Sequence, residues 1–203
     1  MEALLIVDPQ NDFCEGGSLG ANQSQEIFPV INSLRERRHF PYTFVSQDWH
    51  PENHVSFQVN NPESTLFEEK YIEKTGKTQV MWPVHCVQNT AGAEINKDLQ
   101  LKGNEIFIKK GTDPDHDSYS AFGCEEERTS LAEQLREKGI EKLYVCGLAL
   151  DYCVGNSCID SAKNGITTYL IMDATKGIKQ ESVDAMNSKL VNWRVQFINS
   201  SDL

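Results

Sequence analysis

Six short runs of almost unbroken apolar residues alternate with amphipathic stretches along this chain. The runs are Ala3–Val7, Tyr42–Gln47, Glu105–Lys109, Lys142–Gly147, Thr167–Met172 and Val195–Ile198, each of strand length and rich in β-branched or aromatic residues. The stretches near Ser24–Arg38, Glu125–Lys138, Tyr152–Asn164 and Gln180–Val191 carry helical spacing. In Arg128–Lys138, Leu131 and Leu135 recur one turn apart among charges, and Gly139 follows as a stop. Strands this solidly apolar belong in a parallel sheet covered by helices on both faces. The pattern predicts an α/β fold whose ligand site lies beyond the carboxyl ends of the strands.

The rhythm breaks once. From about 49 to 101 no periodicity is visible, and Pro, Asn and Gly are frequent. Structureless segments much beyond about 15 residues are usually functional or disordered. This one holds two of the three Trp and three of the five His, which favours function. With no repeat, linker or low-complexity segment, the expectation is one domain over 1–203, with 49–101 as a long site-forming insertion.

Composition excludes more than it selects. The net charge of −11 argues against a nucleic-acid partner, which needs clustered Lys and Arg. The one basic run, Arg35-Glu-Arg-Arg-His39, reads as a solvated helix end. No apolar stretch reaches the roughly 18 residues of a membrane span, so no membrane partner is expected. The chain opens on a strand rather than a signal peptide, which predicts a cytoplasmic protein. Its six cysteines, at 14, 86, 124, 146, 153 and 158, form no CxxC pair and are expected to be free thiols. Nothing in the sequence sets an oligomeric state.

The chemistry gathers at strand ends. Asp8 follows the first run, Asp48 the second, Lys110 the third, and Cys153 follows the fourth where a helix begins near Asp151. At a helix start a thiol is expected to ionise more easily, and the thiolate is the nucleophile. An acid, a base and a thiol on one sheet edge read as a cysteine hydrolase. Beside them, Asp48-Trp-His50-Pro-Glu-Asn-His54 and Trp82-Pro-Val-His85 form a second cluster. A lone His is far more often a satisfied structural residue than a ligand. A carboxylate with several His beside a candidate nucleophile favours a divalent metal, Zn²⁺ first with Mn²⁺ or Fe²⁺ as alternatives. His54 is open between fourth ligand, partner of a ligand and pocket-lining group. His39 and His116 read as structural or solvated.

Six pieces of the chain, in order, resemble the nicotinamidase branch of the isochorismatase-like cysteine hydrolases. They are Val7-Asp-Pro-Gln-Asn-Asp-Phe13, Asp48-Trp-His-Pro, Trp82-Pro-Val-His-Cys86, Lys110-Gly111, Tyr119-Ser-Ala-Phe122 and Gly147-Leu-Ala-Leu-Asp-Tyr-Cys153. The resemblance implies a three-layer α/β/α fold around a mostly parallel six-stranded sheet, as in the wider Rossmann-like class. It implies a catalytic triad of Asp8, Lys110 and Cys153, and metal ligands Asp48, His50 and His85. Phe13, Trp82 and Tyr119 would wall a flat aromatic ring. A cis Leu148–Ala149 peptide would turn the Ala149 and Cys153 N–H groups inward as an oxyanion hole. The implied reaction converts nicotinamide to nicotinic acid and ammonia through a thioester, in NAD salvage. A pocket for a flat azine carboxamide would also admit pyrazinamide. Of the two adjacent lysines, the one directly before Gly is selected, which makes Lys109 the solvated one. Asp113, Asp115 and Asp117 lack the glycine and glutamate of a calcium loop. Two other readings fit parts of the pattern: a metal-free amidase or isochorismatase of the same superfamily, and a non-catalytic redox-thiol or binding protein.

Overall fold

The computed structural model describes residues 1–203. Its strands are β1 (Glu2–Val7), β2 (Tyr42–Asp48), β3 (Glu69–Ile72), β4 (Lys77–Val80), β5 (Ile106–Lys110), β6 (Lys142–Leu148), β7 (Thr167–Lys176) and β8 (Gln196–Ile198). Its α-helices are α1 (Ile27–Arg37), α2 (Leu131–Glu137), α3 (Gly155–Lys163) and α4 (Gln180–Asn192). Six strands form one sheet in the order β5-β2-β1-β6-β7-β8, with every pairing parallel. These are the six runs read from the sequence.

Why the sheet is covered on both faces is visible in β1. Ala3, Leu5 and Val7 face a core built with Leu131 and Leu135 of α2, Cys158 and Ile159 of α3, and Met186 and Leu190 of α4. Leu4 and Ile6 face the opposite core, with Ile27, Phe28, Ile31 and Leu34 of α1. Alternate residues of one strand therefore enter different cores, which gives the three-layer α/β/α arrangement. All five residues Ala3–Val7 have 0% exposure, worth about 1.5–3 kcal/mol for each large side chain.

The chain leaves β1 toward β2 on one side and returns as β6 on the other. β1 therefore lies at the topological switch point, where the loops beyond the carboxyl ends diverge and leave a crevice. Asp8, Asp48, Lys110 and the turn after β6 all sit at this edge.

Three expectations need correction. The 49–101 segment is not without regular structure, because β3 and β4 form an antiparallel hairpin there. The helix expected over Glu125–Lys138 starts only at Leu131. Before it, Cys124 N–H donates to Glu127 O at 2.9 Å and Thr129 Oγ1 to Ala121 O at 2.6 Å, tying residues 124–129 into a turn. The basic run closes α1 and is solvated only in part, with Glu36, Arg37 and His39 exposed. Arg35 is buried, ion-paired with Glu105 and bonded to Gln100 O at 2.8 Å, and Arg38 pairs with Glu2 at 2.7 Å. Buried guanidinium groups need such partners. No helix is long and apolar enough to cross a membrane.

Candidate active site

Asp8 leaves β1 with φ +44°, a left-handed conformation that a non-glycine residue adopts only when its surroundings hold it. Ser46 of β2 supplies the hold. The Asp8 N–H donates to Ser46 O and Oγ, both at 3.2 Å, and Ser46 Oγ donates to Asp8 Oδ1 at 2.7 Å. Asp8 Oδ2 is ion-paired with Lys110 Nζ at 3.0 Å.

Lys110 ends β5, two strands away from β1. At about 4.8 Å per strand, only a long side chain can cross the end of β2 to reach that centre. It passes Asp48, whose Oδ1 it contacts, and its Nζ lies 3.1 Å from Ser118 O and 3.5 Å from Cys153 Sγ. The alternation of β5 buries Ile108 and Lys110 and exposes Phe107 and Lys109. Lys109 Nζ instead lies 3.5 Å from the centre of the exposed face's Trp49 ring. Lys109→Ala should therefore leave activity at this site within about twofold and cost about 0.5–1 kcal/mol of stability at most. Lys110→Ala should remove nearly all activity. Steady-state assays of the two purified variants check this, and the reverse pattern would mean the register of β5 is wrong.

Cys153 lies not on the first turn of an α-helix but in a π-helical turn, Leu150–Val154, that leads into α3. The Leu148–Ala149 peptide before it is cis. Gly147 has φ +117°, and a Cβ there would stand 2.2 Å from Val7 O, so only glycine lets β6 turn this closely against β1. A carboxylate oxygen of Asp8, one of Asp48 and Cys153 Sγ all lie within 4.8 Å of one another.

This crowding corrects the expectation of an easily ionised thiol. Burial pushes the Cys153 thiol well above its ordinary pKa; Lys110 opposes the shift, but Asp8 and Asp48 add to it. Burial also raises Asp8, against the pull of Lys110. Asp48 behaves oppositely: burial would raise it, but Lys110 and His50 outweigh that and hold its carboxyl below the usual range. Lys110 stays protonated, because burial is overcome by Asp48 and Asp8. The cluster thus holds a neutral thiol beside a carboxylate of raised basicity and a fixed ammonium.

Asp48, His50 and His85 present ligand atoms within 4.8 Å of one another, all buried. His50 Nδ1 lies 2.7 Å from Gly111 O and His85 Nδ1 lies 2.8 Å from Pro83 O. Each backbone carbonyl accepts only from an N–H, so both rings carry a proton on Nδ1, which makes Nε2 the ligand atom of the neutral ring. Those two Nε2 atoms face Asp48 Oδ2 at 3.5 and 3.8 Å. Two imidazoles anchored at Nδ1 by backbone carbonyls, with a carboxylate, suit a divalent ion such as Zn²⁺. Gly111 is part of the same design: its φ is +62°, and a Cβ would sit 2.4 Å from His50 Cε1. His54 stacks on His50 at 4.0 Å but points its own Nδ1 at Ser56 Oγ (2.7 Å) and its Nε2 at His116 O (3.2 Å). With both nitrogens so engaged, His54 supports His50 rather than facing Asp48. Burial and His50 lower its pKa to about 4.

Between the two clusters lies a narrow pocket lined by Phe13, Trp82, Tyr119, His85, Asp48, Ala149 and Cys153. Tyr119 accepts a hydrogen bond from Trp82 Nε1 at 3.1 Å, which fixes both rings. The pocket also takes Leu19, Asp117, Tyr152 and Ile178, which the sequence reading did not single out. Tyr152 packs edge-on to Trp82 at 4.9 Å. Ile178 is held by Asp151, whose carboxylate accepts from Ile178 N–H (3.0 Å), Lys179 N–H (3.1 Å) and Ser182 Oγ (2.6 Å). The Asp113–Asp117 segment is tied to the β3–β4 hairpin, through Asp115 with Lys74 at 2.6 Å and Asp117 with Gln79 at 2.8 Å. Of these, Tyr152 had a sequence signal, being an aromatic residue adjacent to the nucleophile.

A buried thiol, ammonium and carboxylate at the carboxyl edge of a parallel sheet define the class, a three-layer α/β hydrolase. The chain belongs to the isochorismatase family, whose Isochorismatase domain model matches residues 2–201. It is 42% identical to the nicotinamidase of Acinetobacter baylyi over 178 residues, covering 87% of this chain and 81% of that protein. The structure superposes on an Acinetobacter baumanii nicotinamidase/pyrazinamidase with a TM-score of 0.93 at 38% identity, covering 99% and 97% of the two chains. A pyrazinamidase of Pyrococcus horikoshii, solved in complex with zinc, gives a TM-score of 0.82 at 34% identity, with 98% of each chain covered.

Proposed function

We propose that this protein is a metal-dependent nicotinamidase, a single hydrolase domain that converts nicotinamide to nicotinic acid and ammonia through a thioester on Cys153. The observation that carries the reading is the pocket itself. A slot walled by Phe13, Trp82 and Tyr119 has the Cys153 thiol and two members of the candidate metal set, Asp48 and His85, lining the same space. Aromatic walls suit a flat ring, and the thiol suits attack on a carboxamide carbon. The kinship with nicotinamidases supports the same substrate. Pyrazinamide, a flat azine carboxamide of the same shape, is a second expected substrate.

Asp8 Oδ2 takes the proton from Cys153 Sγ, and the thiolate attacks the carboxamide carbon, opening the C=O bond toward oxygen. Lys110 stabilises the anionic sulfur and the carboxylates around it. The Ala149 and Cys153 N–H groups receive the oxyanion, a role worth about 10²–10³-fold per donor in comparable sites. Asp8 then delivers its proton to the amide nitrogen, the C–N bond breaks, and ammonia leaves a thioester. For the second half Asp8 accepts a proton from water, the hydroxide adds to the thioester carbon, and the C–S bond breaks. The sulfur regains the proton from Asp8 and nicotinic acid is released. General acid–base work of this kind contributes about 10²–10⁴-fold. A divalent ion held by Asp48, His50 and His85, Zn²⁺ by its donor set, supplies when bound a Lewis-acid anchor for the pyridine nitrogen. The aromatic walls of Phe13, Trp82 and Tyr119 hold the ring so that the carboxamide carbon faces the sulfur, and much of the advantage is positional.

The thioester makes a distinct prediction. Hydroxylamine added during turnover should compete with water and yield nicotinohydroxamate, with ammonia release undiminished. Nicotinic acid as the sole product at every hydroxylamine concentration would argue for direct hydrolysis without an acyl-enzyme.

A further inference from the structure

Asp48, His50 and His85 come from two separate segments, yet one short stretch after β1 touches the backbone of both. Gln10 is fully buried, and its side chain brackets the main chain of Asp48. Gln10 Nε2 donates to Asp48 O at 2.8 Å, and Gln10 Oε1 accepts from Asp48 N–H, also at 2.8 Å. The same Nε2 donates to Ala93 O at 2.9 Å, which anchors the bracket to the far end of the 49–101 segment. Two residues on, Asp12 Oδ2 accepts from Cys86 N–H at 2.7 Å. Cys86 is a non-glycine residue at φ +47°, a conformation that needs an external hold. It is also the joint between the two imidazoles: it follows His85 directly, and its carbonyl accepts from His50 N–H at 3.0 Å. Gly92 lies flat against the Asp12 carboxylate, since a Cβ there would stand 2.1 Å from Oδ2.

The bracket answers a mechanical problem. The Asp48 carboxylate is shared, with Oδ1 on Lys110 and Oδ2 toward the two Nε2 atoms. A lysine ammonium so close could draw that carboxylate away from the imidazoles unless the backbone beneath it is fixed.

We propose that Gln10 and Asp12 are positioning residues of the metal centre, Gln10 setting the Asp48 backbone and Asp12 setting the Cys86 joint that orients His50 and His85. The inference rests on the metal-dependent reading above. Partners that orient ligands in this way typically account for about 10–100-fold in metal affinity.

The test is the Zn²⁺ dissociation constant of the full chain, measured by competition with a chromophoric chelator, for wild type, Gln10→Leu, Gln10→Glu, Asp12→Leu and Asp12→Asn. The leucine variants lose the hydrogen bonds, and should bind Zn²⁺ about 10–100-fold more weakly. Asp12→Asn keeps an acceptor oxygen for Cys86 N–H and should stay within about threefold of wild type. Gln10→Glu keeps the acceptor for Asp48 N–H but loses both donors, and should weaken binding by about tenfold. Should a leucine variant fail to fold, the Asn and Glu variants still decide the matter. Folded leucine variants with wild-type affinity would overturn the proposal, as would Gln10→Glu at wild-type affinity or Asp12→Asn as weak as Asp12→Leu. Wild-type protein that takes up no Zn²⁺ would instead overturn the metal-dependent reading beneath it.

Discussion

Cys153→Ala is expected to abolish ammonia release from nicotinamide, lowering kcat by about 10⁴-fold or more, while Zn²⁺ uptake stays at the wild-type level. The reason is that no neighbouring group can take over the attack. Lys110 is protonated and bound to two carboxylates, and Asp8 is committed as the proton acceptor. Sγ is not among the atoms grouped with His50 and His85, so removing it leaves that set intact. The fold should tolerate the change, because loss of one sulfur from a buried site costs about 1 kcal/mol. Assay and metal analysis of one purified sample check both halves. Residual activity near wild type would remove Cys153 from the nucleophile's role.

Asp48→Asn is expected to be the second severe lesion, and to act on two properties at once. The carboxylate is buried between Lys110 and two imidazole nitrogens, and it is the only anion in the metal set. An amide of the same shape leaves Lys110 with Asp8 alone as a buried counter-charge. Removing one partner of such a pair costs about 3 kcal/mol or more. Loss of the anionic ligand should weaken Zn²⁺ binding by about 100-fold or more, beyond the effect of an orienting partner. Thermal denaturation with and without Zn²⁺, together with chelator competition, reads both effects. A variant that keeps full Zn²⁺ occupancy would show that Asp48 is no ligand, even if activity is lost.

The two lesions fall on residues that were visible in the sequence, and the reason is physical. Strands buried on both faces are continuous apolar runs, so the first charged residue after each run marks the sheet edge. That rule alone places Asp8, Asp48 and Lys110 together, and the alternation of β5 separates Lys110 from Lys109. The hairpin β3–β4 escaped because it adds little to either core: its residues are exposed or half-buried, from Glu69 to Ile72 and from Lys77 to Val80, so no apolar period marks it. Thr75-Gly76 between Ile72 and Lys77 was the available turn signal. Glu125–Ser130 reads as helix by composition, yet long-range bonds such as Thr129 to Ala121 and Thr112 to Glu127 hold it in a turn.

Electrostatics was the least legible layer. A thiol at the start of a helix reads as activated, but the sign of its shift depends on burial and on carboxylates 105 and 145 positions earlier in the chain, Asp48 and Asp8. The orienting residues were hidden for a similar reason. Gln10 and Asp12 act through side-chain bonds to backbone 38 and 74 residues away, a pairing with no local pattern.

The most direct test of the account is ammonia release from nicotinamide by the purified protein, measured as prepared, after exhaustive chelation, and after Zn²⁺ is restored. Release is expected in the first sample, near-complete loss in the second and recovery in the third, with nicotinic acid formed in equal amount. Undiminished release after complete removal of metal would contradict the role given to Asp48, His50 and His85. No release under any of the three conditions would contradict the nicotinamidase assignment itself.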